Sequence, residues 1–168
     1  MKGCSADIAH KTEKGLIHVD IRTSTEAKKA FREIMAGMEG FEGGVLMQEM
    51  IKGRRELVMG LTRDPQFGPC VMFGLGGIFT ETLRDVEFRV APIEKVDARE
   101  MIDQVRSSKL LGEVRGLPGV DRDALCDLLV AIGKIGAEVD GVLEIDVNPI
   151  LFDHGLPAAA DALVKIGK

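Results

Sequence analysis

The sequence has no tryptophan and no tyrosine, and its aromatic residues, all phenylalanine, make up 4% of 168 positions. That scarcity argues against the stacking platforms on which single-stranded nucleic acids bind. Basic excess is missing too. Twenty-two Lys and Arg against 27 Asp and Glu leave a net charge of −5, the wrong sign for a general phosphate-backbone surface. No window approaches the ~18 uninterrupted apolar residues of a membrane helix, and the early charges do not read as a secretory signal. Cysteine is sparse and odd in number. Cys4, Cys70 and Cys126 lie too far apart for a metal knuckle or a disulfide framework. They read as reduced thiols of a cytoplasmic protein, and no function is assigned to them.

What is present is ordinary for a globular chain: 45% apolar and 29% charged residues. The length suits one domain over residues 1–168. After a polar opening run, "SADIAHKTEKG", the stretch "GLIHVDIR" (15–22) alternates like a strand. "TSTEAKKAFREIMAG" (23–37) has Thr23 and Glu26 at capping-box spacing. Ala27, Ala30, Phe31 and Ile34 recur there at helical intervals, with Gly37 as a stop. "GVLMQEM" (44–50) and "RELVMGL" (55–61), joined by the short "IKGR", suggest a hairpin. "RDPQFGP" is a turn and "CVMFG" (70–74) a short buried strand.

The second half reads as more helical. Residues 94–111 bring Val96, Met101, Ile102, Val105 and Leu110 towards one face. Asp121 is a natural cap for 122–136, with its stripe of Leu125, Leu128, Leu129, Ile132 and Ile135. "VLEIDVN" (142–148) is a strand that Pro149 should end, and "PAAADALVKIG" closes the chain. Hairpins with interposed helices predict an α+β fold, or an α/β type with a mixed sheet.

The most informative stretch chemically is "LEIDVNPI". On a strand, Glu144, Asp146 and Asn148 fall on one face, about 6–7 Å between alternate residues. Such oxygen donors suit a hard cation such as Mg²⁺, although a half-exposed strand with a polar outer face shows the same alternation. Asp161 is a lone acid in an apolar run, costly to bury unless paired or metal-bound. The alternative is that it caps a terminal helix. The glycines of "FGLGGIFTE" (73–81) fit neither the dinucleotide nor the Walker pattern and read first as a tight turn. Around "MQEMIKGRRE" the plain reading is a solvated charged turn, yet an acid at a strand end with a short linker also suits an adenosine.

These motifs, taken in order, resemble the ATP-grasp domain of NDP-forming acyl-CoA synthetases, relatives of succinyl-CoA synthetase. The matching stretches are Lys2 with "SADIAHKTEKG", "MQEMIKGRRE", "RDPQFGP", "FGLGGIFTE", "FRVAP", "LLGEVRG" and "EIDVNP". The resemblance implies an ATP-grasp-like fold and an acid–thiol ligase. It implies that ATP phosphorylates a loop histidine and that a partner domain uses the phosphoryl group to join an acid to CoA. His10 stands where the family places that histidine. Lys2 stands at the phosphate-contacting lysine, and Gln48, Glu49 and Met50 at the adenine-side hinge. Gly76 and Gly77 belong to the phosphate-proximal segment, with Glu81 nearby. Asn148 and Asp161, with Asp146 beside them, stand at Mg²⁺-binding positions. ATP/ADP and Mg²⁺ are therefore the expected cofactors.

The sequence departs from the family in three places. Gly15, Leu16 and Ile17 replace Gly-Gly-Val after the loop, and Leu163 stands where an arginine is usual. The domain also reads as N-terminally truncated, and the CoA-binding, acid-activating partner is absent. Two expectations follow: a catalytic part that works in a homo- or hetero-oligomer with that partner, or a non-catalytic remnant acting as a regulatory or partner-binding subunit.

Overall fold

Thr23 and Glu26 close the first helix as their spacing predicts. Thr23 Oγ1 accepts from the Glu26 N–H at 3.2 Å, and Glu26 Oε2 accepts from the Thr23 N–H at 3.3 Å. The computed structural model describes residues 1–5, 15–76, 85–114 and 116–167, which divide into two units at Met50–Ile51. In the first unit, β1 (Lys2–Cys4) and β2 (Gly44–Leu46) form an antiparallel pair, and α1 (Ser24–Gly37) buries Ala30 and Ile34. Leu16, Ile34 and Met38 make its core. Phe31, expected on the buried face, is 47% exposed.

Residues 15–22 do not form the expected strand. Ile17 makes a single bridge to Lys2, supported by Gly3 N–H to Leu16 O and His18 N–H to Met1 O, both 2.9 Å. Asp20, at φ 56°, then turns the chain, and the Arg22 Nε–H donates to its carboxylate at 3.1 Å. Apolar alternation becomes a strand only where a ladder receives it, and among the described residues one bridge forms here.

The expected hairpin of 44–50 with 55–61 is also absent. β2 stops at Leu46 and pairs with β1, while β3 (Leu57–Asp64) lies in the second unit. Leu57 to Leu61 are all buried, and an interior strand needs a ladder along each edge. β3 finds its partners in β4 (Gly68–Leu75) and β6 (Val142–Asp153). With β5 (Val86–Val90), β7 (Leu156–Ala159) and β8 (Ala162–Ile166), the sheet runs β5-β4-β3-β6-β7, and β8 also pairs with β6. Every pairing among the described residues is antiparallel. This is the α+β class read from the sequence.

"RDPQFGP" makes the β3–β4 turn. Asp64 Oδ1 accepts from the Gln66 and Phe67 N–H groups at 2.8 and 3.0 Å, and Gly68 takes φ 76°. Pro149 does not end its strand; β6 runs on to Asp153. Three steps on β6 (Val147 to Ile150) oppose two on β3 (Met59 to Leu57), so Pro149 sits at a bulge, where a missing N–H is tolerated. The closing run is strand, not helix. His154 and Gly155, with φ 48° and 90°, turn β6 into β7, so Asp161 caps no helix.

The segment 94–111 is likewise broken. α2 (Lys95–Gln104) ends where Val105 turns extended (ψ 135°), and a 3₁₀ turn follows over Arg106–Leu111. Met101, Ile102 and Val105 are buried, but Val96 and Leu110 are exposed. Asp121 caps α3 (Arg122–Glu138), accepting from the Ala124 N–H at 2.9 Å. Its C-terminus is capped by the Arg63 guanidinium, which donates to Gly136 O, Val139 O and Val142 O at 2.7–2.9 Å. No described helix is long and apolar enough to cross a membrane.

Leu125, Leu129 and Ile132 of α3 and Met101 and Ile102 of α2 share one core with Leu57, Met59, Leu61, Val71, Phe73 and Ile145 of the sheet. Gly136 sets how close α3 comes to β3, because a Cβ there would run into the Leu61 side chain and lie 3.1 Å from Pro69. Gly→Ala inside a helix ordinarily stabilises by roughly 0.5–1 kcal/mol. Gly136→Ala should do the opposite, losing about 1–3 kcal/mol through overpacking, as urea unfolding will register.

Candidate functional site

Antiparallel partners place their side chains on the same face of a sheet, which sorts this one into two sides. Leu57, Met59 and Leu61 pair with Leu75, Phe73 and Val71 and face α2 and α3. The other side carries the row Leu163, Asp146, Gly60, Met72 and Phe88, one residue from each of five strands. On that side β6 presents Glu144, Asp146 and Asn148.

Asp161 joins them by register. β6 pairs Val147 with Ala162 and Ile150 with Ala159, the same offset on both sides of the break between β7 and β8. Carried through the break, that offset sets Asn148 opposite Asp161, and the Asn148 N–H donates to Asp161 O at 3.2 Å. Directly opposed residues hold their Cβ atoms roughly 4.5–5.5 Å apart.

The electrostatics agree with the register. Burial pushes the Asp146 carboxyl above its ordinary range, and the charges of Glu144 and then Asp161 push it further the same way. Asp146 and Asp161 are half-buried, while Glu144 and Asn148 are exposed. Among the described residues no three His, Cys, Asp or Glu are arranged to hold a metal by themselves. The set available to a cation is thus two carboxylates and an amide, all oxygen donors, with like charges facing one another. That chemistry suits a hard divalent ion.

Gly60 is not among the expected site residues, because "LVMGL" reads as an apolar run. A Cβ at Gly60 would collide with Ile145 O, so β3 and β6 approach closely beside Asp146 and no β3 side chain stands directly opposite it. A lone glycine inside a strand pattern was the available signal.

The other expected site residues fall as follows. Lys2 lies on β1, opposite Leu46 and 9% exposed. Gln48, Glu49 and Met50 are exposed, beyond β2 in the same unit. Gly76, at the end of β4, is buried. Its N–H donates to Glu56 O at 2.7 Å, and a Cβ would stand 2.9 Å from the Glu56 and Leu57 backbone. His10, Gly77 and Glu81 lie outside the described residues. Cys4, Cys70 and Cys126 are free thiols, and burial raises the pKa of both Cys70 and Cys126, which disfavours their reactive thiolates.

Comparison with known proteins adds the following. The family described as the ATP-grasp domain matches residues 1–166. The chain is 43% identical over 167 residues to the beta subunit of Pyrococcus furiosus acetate–CoA ligase [ADP-forming] I, covering 96% of this chain and 72% of that protein. It is 39% identical over 174 residues to Archaeoglobus fulgidus acetate–CoA ligase [ADP-forming] I, covering all of this chain and 25% of that one. It therefore spans about three quarters of the subunit and a quarter of the longer relative. The dinucleotide forming acetyl-coenzyme A synthetase 1 of Ca. Korarchaeum cryptofilum, solved with coenzyme A and Ca-AMPCP, superposes with a TM-score of 0.93 at 42% identity, over 99% of this chain and 75% of that one. In a second structure of that protein, with Mg-AMPPCP (TM-score 0.88, 41% identity, the same coverage), the phosphohistidine segment points towards the nucleotide binding site.

The raised Asp146 pKa has a definite pH signature. A carboxyl whose folded pKa lies above its unfolded value of ~3.9 leaves the fold most stable below that value. Stability is then lost as pH rises through the folded pKa. Metal-free Asp146→Asn should therefore match the parent near pH 3 and exceed it progressively as pH rises. Thermal melts at a series of pH values will show whether the gap opens in that direction.

Proposed function

This chain belongs to the ATP-grasp domain family, and from that premise we propose that it is the nucleotide-handling part of an NDP-forming acyl-CoA synthetase. In this reading ATP gives its γ-phosphoryl group to the His10 imidazole, leaving ADP. A CoA-binding, acid-activating subunit or domain passes the phosphoryl group to a carboxylic acid. The resulting acyl phosphate is attacked by the CoA thiol, so that acyl-CoA and inorganic phosphate are released. An uncharged imidazole is a competent acceptor near neutral pH.

The observation that carries the reading is the meeting of Asp146, Asn148 and Asp161 on the sheet face opposite α2 and α3, in a chain whose family match covers residues 1–166. Phosphoryl transfer is mostly positioning and charge neutralisation. Asp146, Asn148 and Asp161 would hold Mg²⁺, which when bound neutralises phosphate charge. Two half-buried acids that repel each other gain most from such an ion. By the family resemblance, Lys2 would contact the phosphates, and Gln48, Glu49 and Met50 the adenine. Gly76 and Gly77 allow the backbone close to the phosphates. The relatives named as beta subunits, beside longer single-chain ones, support a partner that is separate in some proteins and fused in others.

Two measurements test this. Calorimetric titration with ATP should give Mg²⁺-dependent heat that Asp161→Asn removes. With the partner supplied, His10→Ala should lower acyl-CoA formation by on the order of a hundredfold or more and abolish labelling of the chain by γ-³²P-ATP. Full activity in both variants would sink the proposal in favour of a partner-binding remnant.

A further inference from the structure

We infer that β8 forms a two-fold interface with a second copy of this chain: the free edge of one β8 pairs antiparallel with that of the other, and Lys165 of each copy stands opposite Asp161 of its neighbour. The inference concerns assembly and does not rest on the nucleotide-handling reading above.

Among the described residues β8 pairs with β6 alone, and every one of its residues is exposed. Leu163 is 58% exposed, Val164 49% and Ile166 73%. The other edge of the sheet differs, because Arg89 of β5 donates to Gln104 of α2. The bonds to β6 show which groups of β8 remain unused. Asp161 O accepts from the Asn148 N–H at 3.2 Å at one end, and the Gly167 N–H donates to Gly141 O at 2.9 Å at the other. Successive residues of an antiparallel strand turn their N–H and C=O groups to opposite edges. Both ends agree: Asp161, Leu163, Lys165 and Gly167 bond towards β6, while Ala162, Val164 and Ile166 offer their groups outward. Such an edge is a template for another strand.

Charge along the strand selects the occupant and its register. A two-fold axis through Lys165 sets two lysines face to face, and one through Val164 sets them diagonally across from each other, where like charges repel. An axis through Leu163 sets Ala162 against Val164 of the second copy. Both are outward residues, so they exchange both N–H···O bonds, and the symmetry repeats the exchange. Leu163 meets its own copy on the axis, and Lys165 falls directly opposite Asp161, with Cβ atoms roughly 4.5–5.5 Å apart. Each lysine then lies between Glu144 of its own β6 and Asp161 of the second copy. A lysine on an edge strand ordinarily keeps other strands away, because its charge is costly to bury without a partner. A second copy of this edge brings the acid with it. The cation also lands where it is needed: burial and the charges of Glu144 and Asp161 push the Asp146 carboxyl above its ordinary range, and a lysine opposite Asp161 offsets that repulsion. A carboxylate accepts through two oxygens, so Asp161 keeps one for another cation.

Sedimentation equilibrium of the full 168-residue chain over a wide range of concentration should show a reversible monomer–dimer equilibrium. Val164→Pro removes an outward N–H and spares the ladder to β6, as proline on an edge strand allows. Acting twice in the dimer, it should raise the dissociation constant about tenfold or more. Lys165→Glu should weaken the dimer as well by setting like charges opposite each other, and adding Asp161→Lys to it should restore association. If Val164→Pro does not fold, the charge exchange decides alone. A chain that stays monomeric throughout overturns the proposal and leaves Lys165 as a guard of the edge. A dimer that neither Val164→Pro nor Lys165→Glu weakens has its interface elsewhere and overturns it equally. Loss of association in Lys165→Glu with no recovery in the double variant rejects the register through Leu163, and the proposal with it.

Discussion

Helices α2 and α3 cover one side of the six-stranded sheet, and the site in this unit depends on that asymmetry. Leu125, Leu129 and Ile132 need a flat apolar surface, and Leu57, Met59, Leu61, Val71 and Phe73 provide it. Alternation then sends the other half of each strand to the side opposite α2 and α3. Polar residues on β6 can gather there without entering the core, which is why Asp146 is half-buried rather than sealed. Gly136 contributes from the helical side by letting α3 sit close to β3.

The side away from the helices is tuned by small residues more than by charged ones. Gly60 leaves Asp146 without a side chain beside it on β3, and Gly74 and Gly76 let three stretches of backbone meet. Exposed ion pairs contribute little by comparison. Arg122 with Asp103, and the Lys95–Asp127 and Arg99–Asp123 pairs, link α2 to α3 from solvent, where such contacts add at most about 1 kcal/mol each.

The sequence was legible where structure is local. Thr23 with Glu26, Asp121 before an apolar stripe, and Asp64 to Gly68 each specify a cap or turn within a few residues, and each formed. It misled where a partner strand decides. Residues 15–22 alternate but receive one bridge, residues 55–61 join β4 and β6 rather than 44–50, and Pro149 survives inside β6 because a bulge absorbs it. The acids of the candidate site were found by type and alternation. Their meeting with Asp161 depended on a β7–β8 register that local patterns left open between a paired acid and a helix cap, and Gly60 acts through contacts that no spacing rule encodes.

The shared offset of β7 and β8 along β6 turns the distance between Asn148 and Asp161 into a counting rule. Adding one residue to each arm of the hairpin, or changing its tip at His154–Gly155, keeps the two opposite each other. A single deletion on the β7 arm instead sets Asn148 against Ala162 and swings the acid to the helical side. Drift in this stretch is therefore constrained by parity: paired changes pass, and unpaired ones separate the amide from the acid while leaving a hairpin that still looks intact.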